Sequence, residues 1–460
     1  MGLQQTLESS DKIKYEVYLQ GLTPSTVRKI SAQQNEPQRM LNNRLKSLEI
    51  FGNLPMPKRG PDLSGLNLDQ IIYYAKPHQD SKGYANSRED VPLEIKEKFT
   101  RLGIPEAEQK YLAGAGGQYD SLNVYHKIKE RRRDMGIIFE DMATAVIKYP
   151  EIVKKHFMKL VPPTDHKFAA LHGAVRSGGT FIYIPKGVKL DEPLQAYFRM
   201  NTYAGGQFEH TLIVVDDDAK GNYIEGCSAP KYDKASLHAG LVEIFVGKNS
   251  EMKYSSVENR SKNTYNLNTK RALLEENSYM ERVNGNMGSC TTMLYPCSIL
   301  KGDNSKTDML GVAIANQGQN QDTGSKVIHV GKNTSSKIIS KSICKNGGIS
   351  TYRGIVKINK SADNAVNHTQ CDALIFDDKS FSSTVPLISC DNESGIVAHE
   401  ASAGKVDENL LFYLNSRGLD NQQSISMVVN GFFSSVVKKL PLEYAGEFNK
   451  LVDMEIENSL

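Results

Sequence analysis

The sequence has 460 residues, of which 39% are hydrophobic and 24% are charged, a balance that is typical of folded globular proteins and excludes a disordered chain. The 56 basic and 53 acidic residues leave a net charge of +3, so nothing indicates nucleic acid or an anionic membrane as the main partner. No apolar run reaches the roughly 18 to 20 residues of a membrane-spanning helix. The first residues lack the basic and apolar regions of a secretory signal, which predicts a cytoplasmic location.

The first third of the sequence, residues 1–165, is predicted to form an N-terminal helical domain. Thr23 followed by Pro24 is typical of a helix cap with proline at the first helical position. Apolar residues recur at helical spacing after Pro37, and a later helical segment must break at Pro150. These helices are predicted to serve packing.

Residues 166–405 change to short β-rich runs that are separated by turn residues. Asparagine followed by serine or threonine recurs at separations of 28, 27 and 29 residues, beginning at Asn249, Asn277, Asn304 and Asn333. Extending this register reaches Asn222 in one direction and Ser361 in the other. A turn that returns about every 28 residues, with strands between, predicts a stacked β-solenoid. A β-sandwich would also give short strands but does not readily give a fixed repeat.

The last segment, residues 406–460, returns to helical periodicity. Asp407 and Asp420 are predicted to cap two helices, and Gly418 ends the first of them. The stretch 427–433 is apolar for a terminal segment and either packs on the solenoid or binds a partner. The pattern alone favours packing, and the helical flanks are the natural caps for the open ends of a solenoid.

Known nucleotide and hydrolase motifs are absent from the sequence: it has no phosphate-binding loop, no His-Glu-x-x-His and no Gly-x-Ser-x-Gly. It has six cysteines and no Cys-x-x-Cys pair, so a zinc ribbon is not indicated. Cys227 lies where an apolar strand meets a turn, and Cys371 lies among polar residues. From pattern alone, a lone cysteine is more often a small buried apolar residue, and His399-Glu400 is more often an exposed pair at a strand end.

Motifs along nearly the whole chain, from about residue 21 to the end, resemble the SufB/SufD family of iron–sulfur cluster assembly proteins. They include Asn35-Glu36-Pro37, Gly103-Ile104-Pro105, Lys167-Phe168-Ala169-Ala170-Leu171, Phe181-Ile182-Tyr183-Ile184-Pro185, Tyr223 to Pro230, Thr369-Gln370-Cys371-Asp372, His399-Glu400-Ala401 and Leu440-Pro441-Leu442-Glu443-Tyr444. The resemblance implies a mainly β fold, with a right-handed parallel β-helix core (166–405) between N-terminal (1–165) and C-terminal (406–460) helical domains.

The resemblance also implies a function for several side chains. Cys227 matches the cysteine that accepts sulfur as a persulfide, and a thiolate suits reversible sulfur exchange. Cys371 matches a cysteine that holds the nascent iron–sulfur cluster, with Glu400 as a further metal ligand and His399 beside it. An oxygen or nitrogen ligand binds iron less firmly than a thiolate, which suits a cluster that must leave. This mechanism assumes that both thiols lie on one stacked coil and are open enough to meet sulfur and metal.

Three polar residues, Arg199, Asn201 and Lys270, match positions that line a path for sulfur in the family. The match is incomplete nearby. Many members have Gln-Asn-Trp where this chain has Glu258-Asn259-Arg260, and many have an acidic residue in place of Ala398. The first departure weakens a detailed path, and the second removes one ligand. The other cysteines, at 290, 297, 344 and 390, are predicted to be structural.

The resemblance identifies the chain as a cysteine-bearing scaffold member that is not itself an enzyme. Its implied partner at the C-terminal helices, around Ser424 to Leu451, is the ATPase SufC, so the resemblance favours partner binding over packing for that apolar helix. The other implied partners are SufD or a second copy of the chain at the β-helix edge, and a SufE- or SufU-type sulfur donor with a cysteine desulfurase. Its cargo is a transient iron–sulfur cluster, and a reduced flavin (FADH2) in the complex is also compatible. Alternatives are a SufD-like structural subunit, a β-helix carbohydrate-active enzyme, and a plastid stroma location.

Overall fold

The structure, a computed structural model, describes residues 15–77, 113–200, 202, 204–228, 235–439, 445–446, 449 and 452–453. It confirms the predicted fold: a parallel β-solenoid of about seven turns with helices near both ends. Among the residues described, no helix has both the length and the apolar character to cross a bilayer.

One wall of the solenoid is a sheet of ten strands. Eight of these strands come from successive coils, and each pairs in parallel with the strand of the next coil. In chain order its strands are β3 (Gly114–Tyr119), β4 (Leu122–Ile128), β7 (Leu194–Arg199), β10 (Lys220–Ser228), β13 (Glu251–Arg260), β16 (Tyr279–Gly288), β19 (Lys306–Ala315), β21 (Ser335–Cys344), β23 (Val366–Ile375) and β25 (Ile396–Lys405). The hairpin β3–β4 begins this sheet and β25 ends it, so we call it the first sheet.

The facing wall is called the second sheet. In the first coils it consists of two separate rows of short strands, and both rows end by pairing with one longer strand, β20 (Asn320–His329). Its strands are β5 (Ile138–Asp141), β6 (Thr180–Ile184), β8 (Gly206–Gln207), β9 (His210–Val215), β11 (Ser236–His238), β12 (Leu241–Val246), β14 (Thr264–Asn266), β15 (Thr269–Leu274), β17 (Thr291–Leu294), β18 (Cys297–Leu300), β20 (Asn320–His329), β22 (Ile349–Ile358) and β24 (Phe381–Cys390). A separate antiparallel pair joins β1 (Tyr15–Gln20) to β2 (Ile72–Pro77).

A ladder of asparagine side chains explains the sequence repeat. The four repeated asparagines, Asn249, Asn277, Asn304 and Asn333, all have a left-handed backbone, with φ between 54° and 59°. Such a backbone favours asparagine over most residues. The amide of Asn277 donates to Asn249 at 3.0 Å, and that of Asn304 donates to Asn277 at 3.0 Å. These two bonds therefore tie the turns of three successive coils together.

The predicted extension of the repeat to Asn222 and Ser361 is wrong in both directions. Asn222 lies inside β10, and the ladder turn of that coil is at Asp218, whose carboxylate accepts from Asn249 at 3.0 Å. On the other side, Asn364 and not Ser361 continues the ladder by donating to Asn333 at 3.1 Å. The spacing fails here because the coils are not all of equal length.

The predicted N-terminal helices are α1 (Pro24–Gln33) and α2 (Gln38–Asn53), and the side chain of Thr23 accepts from the Thr26 N–H as expected of a cap. Short helices follow at α3 (Glu130–Arg133), α4 (Met142–Lys148), α5 (Pro150–His156) and α6 (Lys167–Val175), with the predicted break at Pro150. The segment predicted as helical also supplies β1 to β5, of which β3, β4 and β5 join the solenoid sheets. The boundary at 165/166 stays a prediction.

A buried ion triad fastens the N-terminal helices to the solenoid. Glu36, between α1 and α2, contacts the Arg44 Nε at 2.6 Å and also pairs with Arg176, which follows α6. The guanidinium of Arg44 also donates to the Ala174 and Arg176 carbonyls. Burial opposes ionisation of Glu36, but the two guanidiniums prevail and lower its pKa to about 2.

The C-terminal helices are α7 (Glu408–Ser416) and α8 (Asn421–Val437), capped by Asp407 and Asp420 as predicted. One face of α8, with Val429, Phe433 and Val436, packs on the outer side of the first sheet. Packing, favoured by the sequence pattern, is thus observed for this face. The predicted last helix after Pro441 lies largely outside the described residues.

Candidate functional site

The inner face of the first sheet carries a buried polar chamber around Cys227. Alternate residues of β10, namely Tyr223, Glu225 and Cys227, face the lumen, whereas Ile224 packs outward under α8. The Tyr254 hydroxyl, from the next coil, donates to Glu225 at 3.0 Å. Burial raises the pKa of the Cys227 thiol well above its ordinary range. The thiol is therefore protonated at neutral pH in this closed state.

Lys270 reaches into this chamber from the second sheet, on β15. Its Nζ donates to Ser256 at 2.8 Å and to Glu258 Oε1 at 2.8 Å, and it lies 3.7 Å from Glu225 Oε1. Burial opposes ionisation of Glu258, but the Lys270 charge and its neighbours lower the pKa of that carboxyl to about 2. Lys270 and Glu258 are therefore a fully buried ion pair beside Cys227.

The two charged residues that depart from the family pattern, Glu258 and Arg260, are both inside the chamber. Arg260 donates to Gln207 Oε1 at 2.9 Å, and its Nη2 lies 3.0 Å from His238 Nε2. His238 in turn contacts Glu209. The departure therefore replaces part of the chamber wall with a charge network that the sequence alone did not reveal.

Arg199 and Asn201 are the other two residues predicted to line the sulfur path. Arg199 is fully buried and lies in register with Ser228, the residue after Cys227. Asn201 lies outside the described residues. Of the three, the structure thus shows Lys270 in the chamber and Arg199 on the adjacent strand.

Cys371 and His399 come together at the far end of the solenoid. Cys371 lies on β23 and faces the lumen, and His399 lies on the neighbouring strand β25. The Cys371 Sγ and the His399 Nε2 are 3.6 Å apart. Burial raises the pKa of the Cys371 thiol to about 12 and lowers the pKa of His399. In this state the pair is a neutral thiol beside a neutral imidazole.

Glu400 does not join this pair. It is exposed and lies in register with Gln370, so strand alternation places it on the outer face while Cys371 is on the inner face. No cluster of three or more metal-ligating side chains occurs within the part of the chain that the structure describes. Of the three residues predicted to hold a cluster, the structure therefore brings Cys371 and His399 together and places Glu400 on the opposite face of the sheet.

The assumption that both thiols lie on one coil and are open enough to meet sulfur and metal is wrong, because they lie on different coils and both are buried. Five strand steps separate β10 from β23 in the first sheet, which at about 4.8 Å per step is about 24 Å. A direct attack of one thiol on the other is excluded at that separation.

A column of small or polar residues connects the two ends on the lumen side. Its members are in register on successive strands: Glu225, Ser256, Asn284, Gly311, Ser340 and Cys371. A cavity lies against the middle of this column, with space for a water-sized group. A Cβ at Gly311 would meet only the Ser340 hydroxyl, at 3.9 Å, so this glycine leaves the column open.

These features define a class of protein: a parallel β-solenoid with a buried polar lumen and a buried thiol near each end of it. Comparison with known proteins agrees. Residues 198–432 match the family model for the SufBD core domain of the SUF system of iron–sulfur cluster assembly, and residues 83–196 match the SufBD N-terminal region.

The relatives are similar over almost their full length. The iron–sulfur cluster assembly protein SufB of Bacillus subtilis (strain 168) is 50% identical over 440 residues, which cover 96% of this chain and 94% of that protein. An iron–sulfur cluster assembly SufBD family protein of Staphylococcus aureus (strain MRSA252) is likewise 50% identical over 440 residues, with the same coverage. The chain belongs to the SufBD family of iron–sulfur cluster assembly proteins.

Proposed function

We propose that this chain is the scaffold of a SUF complex, which accepts persulfide sulfur at Cys227 and builds a nascent iron–sulfur cluster at Cys371. The observation that carries the proposal is the Cys371–His399 pair at the edge of a lumen whose polar column begins in the Cys227 chamber. Iron and sulfur are cargo here, and the chain supplies ligands and a path without transforming a metabolite.

Charged side chains surround Cys227 in the chamber. Arg260 favours the ionised form of the thiol, whereas burial and the carboxylates of Glu225, Glu258 and Glu209 oppose it, and the net result is a raised thiol pKa. Because Cys227 is buried, sulfur delivery by a SufE- or SufU-type donor requires the coil to open at this strand end. Because the two thiols are about 24 Å apart, sulfur must move along the lumen, since a single exchange between Cys227 and Cys371 cannot span this distance.

Two surfaces support the proposed partners. The last strands, β24 and β25, expose Phe381, Leu387 and Ile396 at the end of the solenoid, which suits pairing with SufD or a second copy. On α7, Phe412 is 76% exposed and Tyr413 is 53% exposed, which suits docking of SufC. The apolar C-terminal region would thus both pack on the solenoid and bind a partner.

The test is cluster reconstitution with SufC, SufD, a sulfur donor, iron, a reductant and reduced flavin (FADH2). We expect Cys371→Ala and Cys227→Ala each to reduce cluster yield by about tenfold or more, because each removes the thiol to which the proposal assigns the chemistry at its end of the lumen. Cys344→Ala is the matched control, since Cys344 is also buried in the solenoid but has a backbone carbonyl as its contact. Omitting the flavin from the same mixture tests its role.

A full cluster yield in Cys371→Ala would remove the ligand role. Persulfide mass spectrometry of the purified chain then separates the scaffold from a SufD-like structural subunit. A persulfide at Cys227 after incubation with the donor and desulfurase supports the scaffold, and its absence favours the structural subunit.

A further inference from the structure

Arg282 is a buried cation on the lumen side of the first sheet. It lies on β16, in register with Tyr254 of the preceding coil and Met309 of the next, and both of these belong to the lumen core. Val283, the next residue of β16, packs outward with α8. Strand alternation therefore turns the Arg282 side chain into the lumen, where it is fully buried.

The Arg282 guanidinium has no counter-charge within the part of the chain that the structure describes. Its Nε and Nη1 are buried and have no hydrogen-bond partner among the described residues. Its Nη2 lies 4.0 Å from the Met280 Sδ, and its Cζ lies 5.8 Å from the centroid of the Tyr254 ring. Lys270, and not Arg282, pairs with carboxylates of the chamber. A buried cation with two unpaired donors is an exception that needs an explanation.

The ionisable groups close to Arg282 do not neutralise it. Burial raises the pKa of the Tyr254 hydroxyl well above its ordinary range and also raises the pKa of the Cys297 thiol, so both groups are uncharged at neutral pH. Burial lowers the pKa of Arg282 to about 10, which still leaves the guanidinium charged. The lumen therefore has an uncompensated positive charge at this place.

Arg282 lies between the two thiols along the stack of coils. Its strand is two steps from β10, which carries Cys227, and three steps from β23, which carries Cys371. At about 4.8 Å per step, these separations are about 10 Å and about 14 Å. The interior cavity begins beside Arg282, because Asn284 and Met309, its neighbours on the lumen side, both line that cavity.

We propose that Arg282 is an anion-binding site in the lumen and that its ligand is the hydrosulfide ion, HS⁻. A monovalent anion compensates a single guanidinium, and one sulfur atom suits a cavity with space for a water-sized group. The Met280 thioether beside the guanidinium is soft and polarisable, which suits a sulfur anion better than an oxyanion. The identity of the anion rests on the proposed function, because sulfur transfer is what brings sulfide into the lumen. Binding makes and breaks no covalent bond.

The test is equilibrium dialysis of the purified full chain against radiolabelled sulfide, without oxygen and at mildly alkaline pH. A phosphine reductant removes sulfur that is bound as persulfide. We expect wild type to retain about one sulfide per chain, and Arg282→Met to weaken sulfide binding by about tenfold or more, because its thioether has no charge. Arg282→Lys should weaken binding less, since it keeps the charge and loses only the fork of donors.

Arg353→Met is the matched control. Arg353 also lies on a solenoid strand, but its Nε is already paired with Asp322 at 2.8 Å. This variant should therefore retain as much sulfide as wild type.

Urea unfolding without sulfide separates a binding site from a structural arginine. Arg282→Met removes an uncompensated buried charge, so its midpoint of unfolding should equal or exceed that of wild type. A guanidinium that held the fold together would instead lower the midpoint. A variant that does not fold would likewise identify a structural arginine and overturn the site.

Crystals of the full chain grown in sodium bromide would locate the anion, since bromide resembles hydrosulfide in size and charge. We expect an anomalous peak within hydrogen-bond distance of the Arg282 Nε and Nη1. A lumen without a bromide peak at this guanidinium, or equal sulfide retention in wild type and Arg282→Met, would overturn the site. Full displacement of the labelled sulfide by an equal concentration of chloride would overturn hydrosulfide as the ligand.

The dialysis uses neither iron nor partner subunits, so its outcome is separate from that of the proposed function. A full cluster yield in Cys371→Ala would refute the scaffold mechanism and leave sulfide retention at Arg282 unchanged. Equal retention in wild type and Arg282→Met would refute the anion site and leave the cluster yields of the cysteine variants unchanged.

Discussion

The side chains around Cys227 show how a protein can keep charges inside a β-solenoid. Lys270 and Glu258 are almost completely buried, and each relies on the other for its ionised state. Such a pair contributes little net stability, but the loss of one partner leaves an uncompensated charge in the interior. The polar lumen is therefore vulnerable to single substitutions, although the fold as a whole is well packed.

Lys270→Met is expected to lower the free energy of unfolding by about 3–5 kcal/mol, because it leaves the Glu258 carboxylate buried without its ion-pair partner. Urea denaturation followed by circular dichroism measures the change. Lys301→Met is the control, since Lys301 pairs with Glu275 on the surface and should cost about 1 kcal/mol or less.

The double variant Lys270→Met/Glu258→Gln removes both charges and should recover at least half of the loss. If Lys270→Met alone leaves the urea midpoint of unfolding unchanged, the Lys270–Glu258 ion pair does not stabilise the folded chamber.

Among the structural elements, α2 and α6 depend on the Glu36–Arg44–Arg176 triad. The folded-state pKa of Glu36 is lowered to about 2 from an ordinary value of 4.5. A lowered carboxyl pKa contributes stability that is present above pH 4.5 and is lost as the pH falls toward 2. The triad should therefore make the N-terminal attachment sensitive to acid.

Glu36→Gln is expected to destabilise the chain at pH 7, by about 3–5 kcal/mol, because two buried guanidiniums lose their counter-charge. The difference between wild type and variant should shrink between pH 4.5 and the lowest pH at which the wild type stays folded. Thermal unfolding across this range measures it. Glu140→Gln, at a partly exposed pair with Lys148, is the control. A difference that does not depend on pH would contradict the ionised state of Glu36.

The elements with short-range signals could be predicted from the sequence, and the contacts between distant elements could not. The caps at Thr23, Asp407 and Asp420 depend on residues within one turn, and all three are observed. The asparagine repeat is visible because each ladder residue needs a left-handed backbone. By contrast, β3 pairs with β7 of the solenoid sheet and with β4, and its glycine-rich sequence showed no strand pattern.

The candidate site was predicted by resemblance, and its geometry depends on register. Which face a strand residue occupies changes with a shift of one position, so the pairing of Cys371 with His399 but not with Glu400 required the structure. The same holds for Arg260, whose partners Gln207 and His238 lie on other strands. This residue has no local signal that marks it as part of the site.

At the level of the molecule, the solenoid is closed at one end and open at the other. Hairpin β3–β4 and the N-terminal helices cover the first coils, whereas β24 and β25 are the last strands of their sheets among the residues described. An exposed strand edge with large apolar side chains favours pairing with another chain. The Cys371–His399 pair lies on the last two strands of the first sheet, so the partner that covers this edge also covers the candidate cluster site.

Leu387→Lys on β24 is expected to weaken association at this edge by about tenfold or more, since it places a charge where an apolar side chain is 55% exposed. Size-exclusion chromatography with light scattering measures self-association, and co-purification measures association with SufD. Ile147→Lys is the matched control, because Ile147 is also 55% exposed but lies on α4 at the N-terminal end. Cluster yield should fall with the association, because the edge forms part of the site. Unchanged association and yield in Leu387→Lys would mean that the cluster is assembled without a partner on this edge.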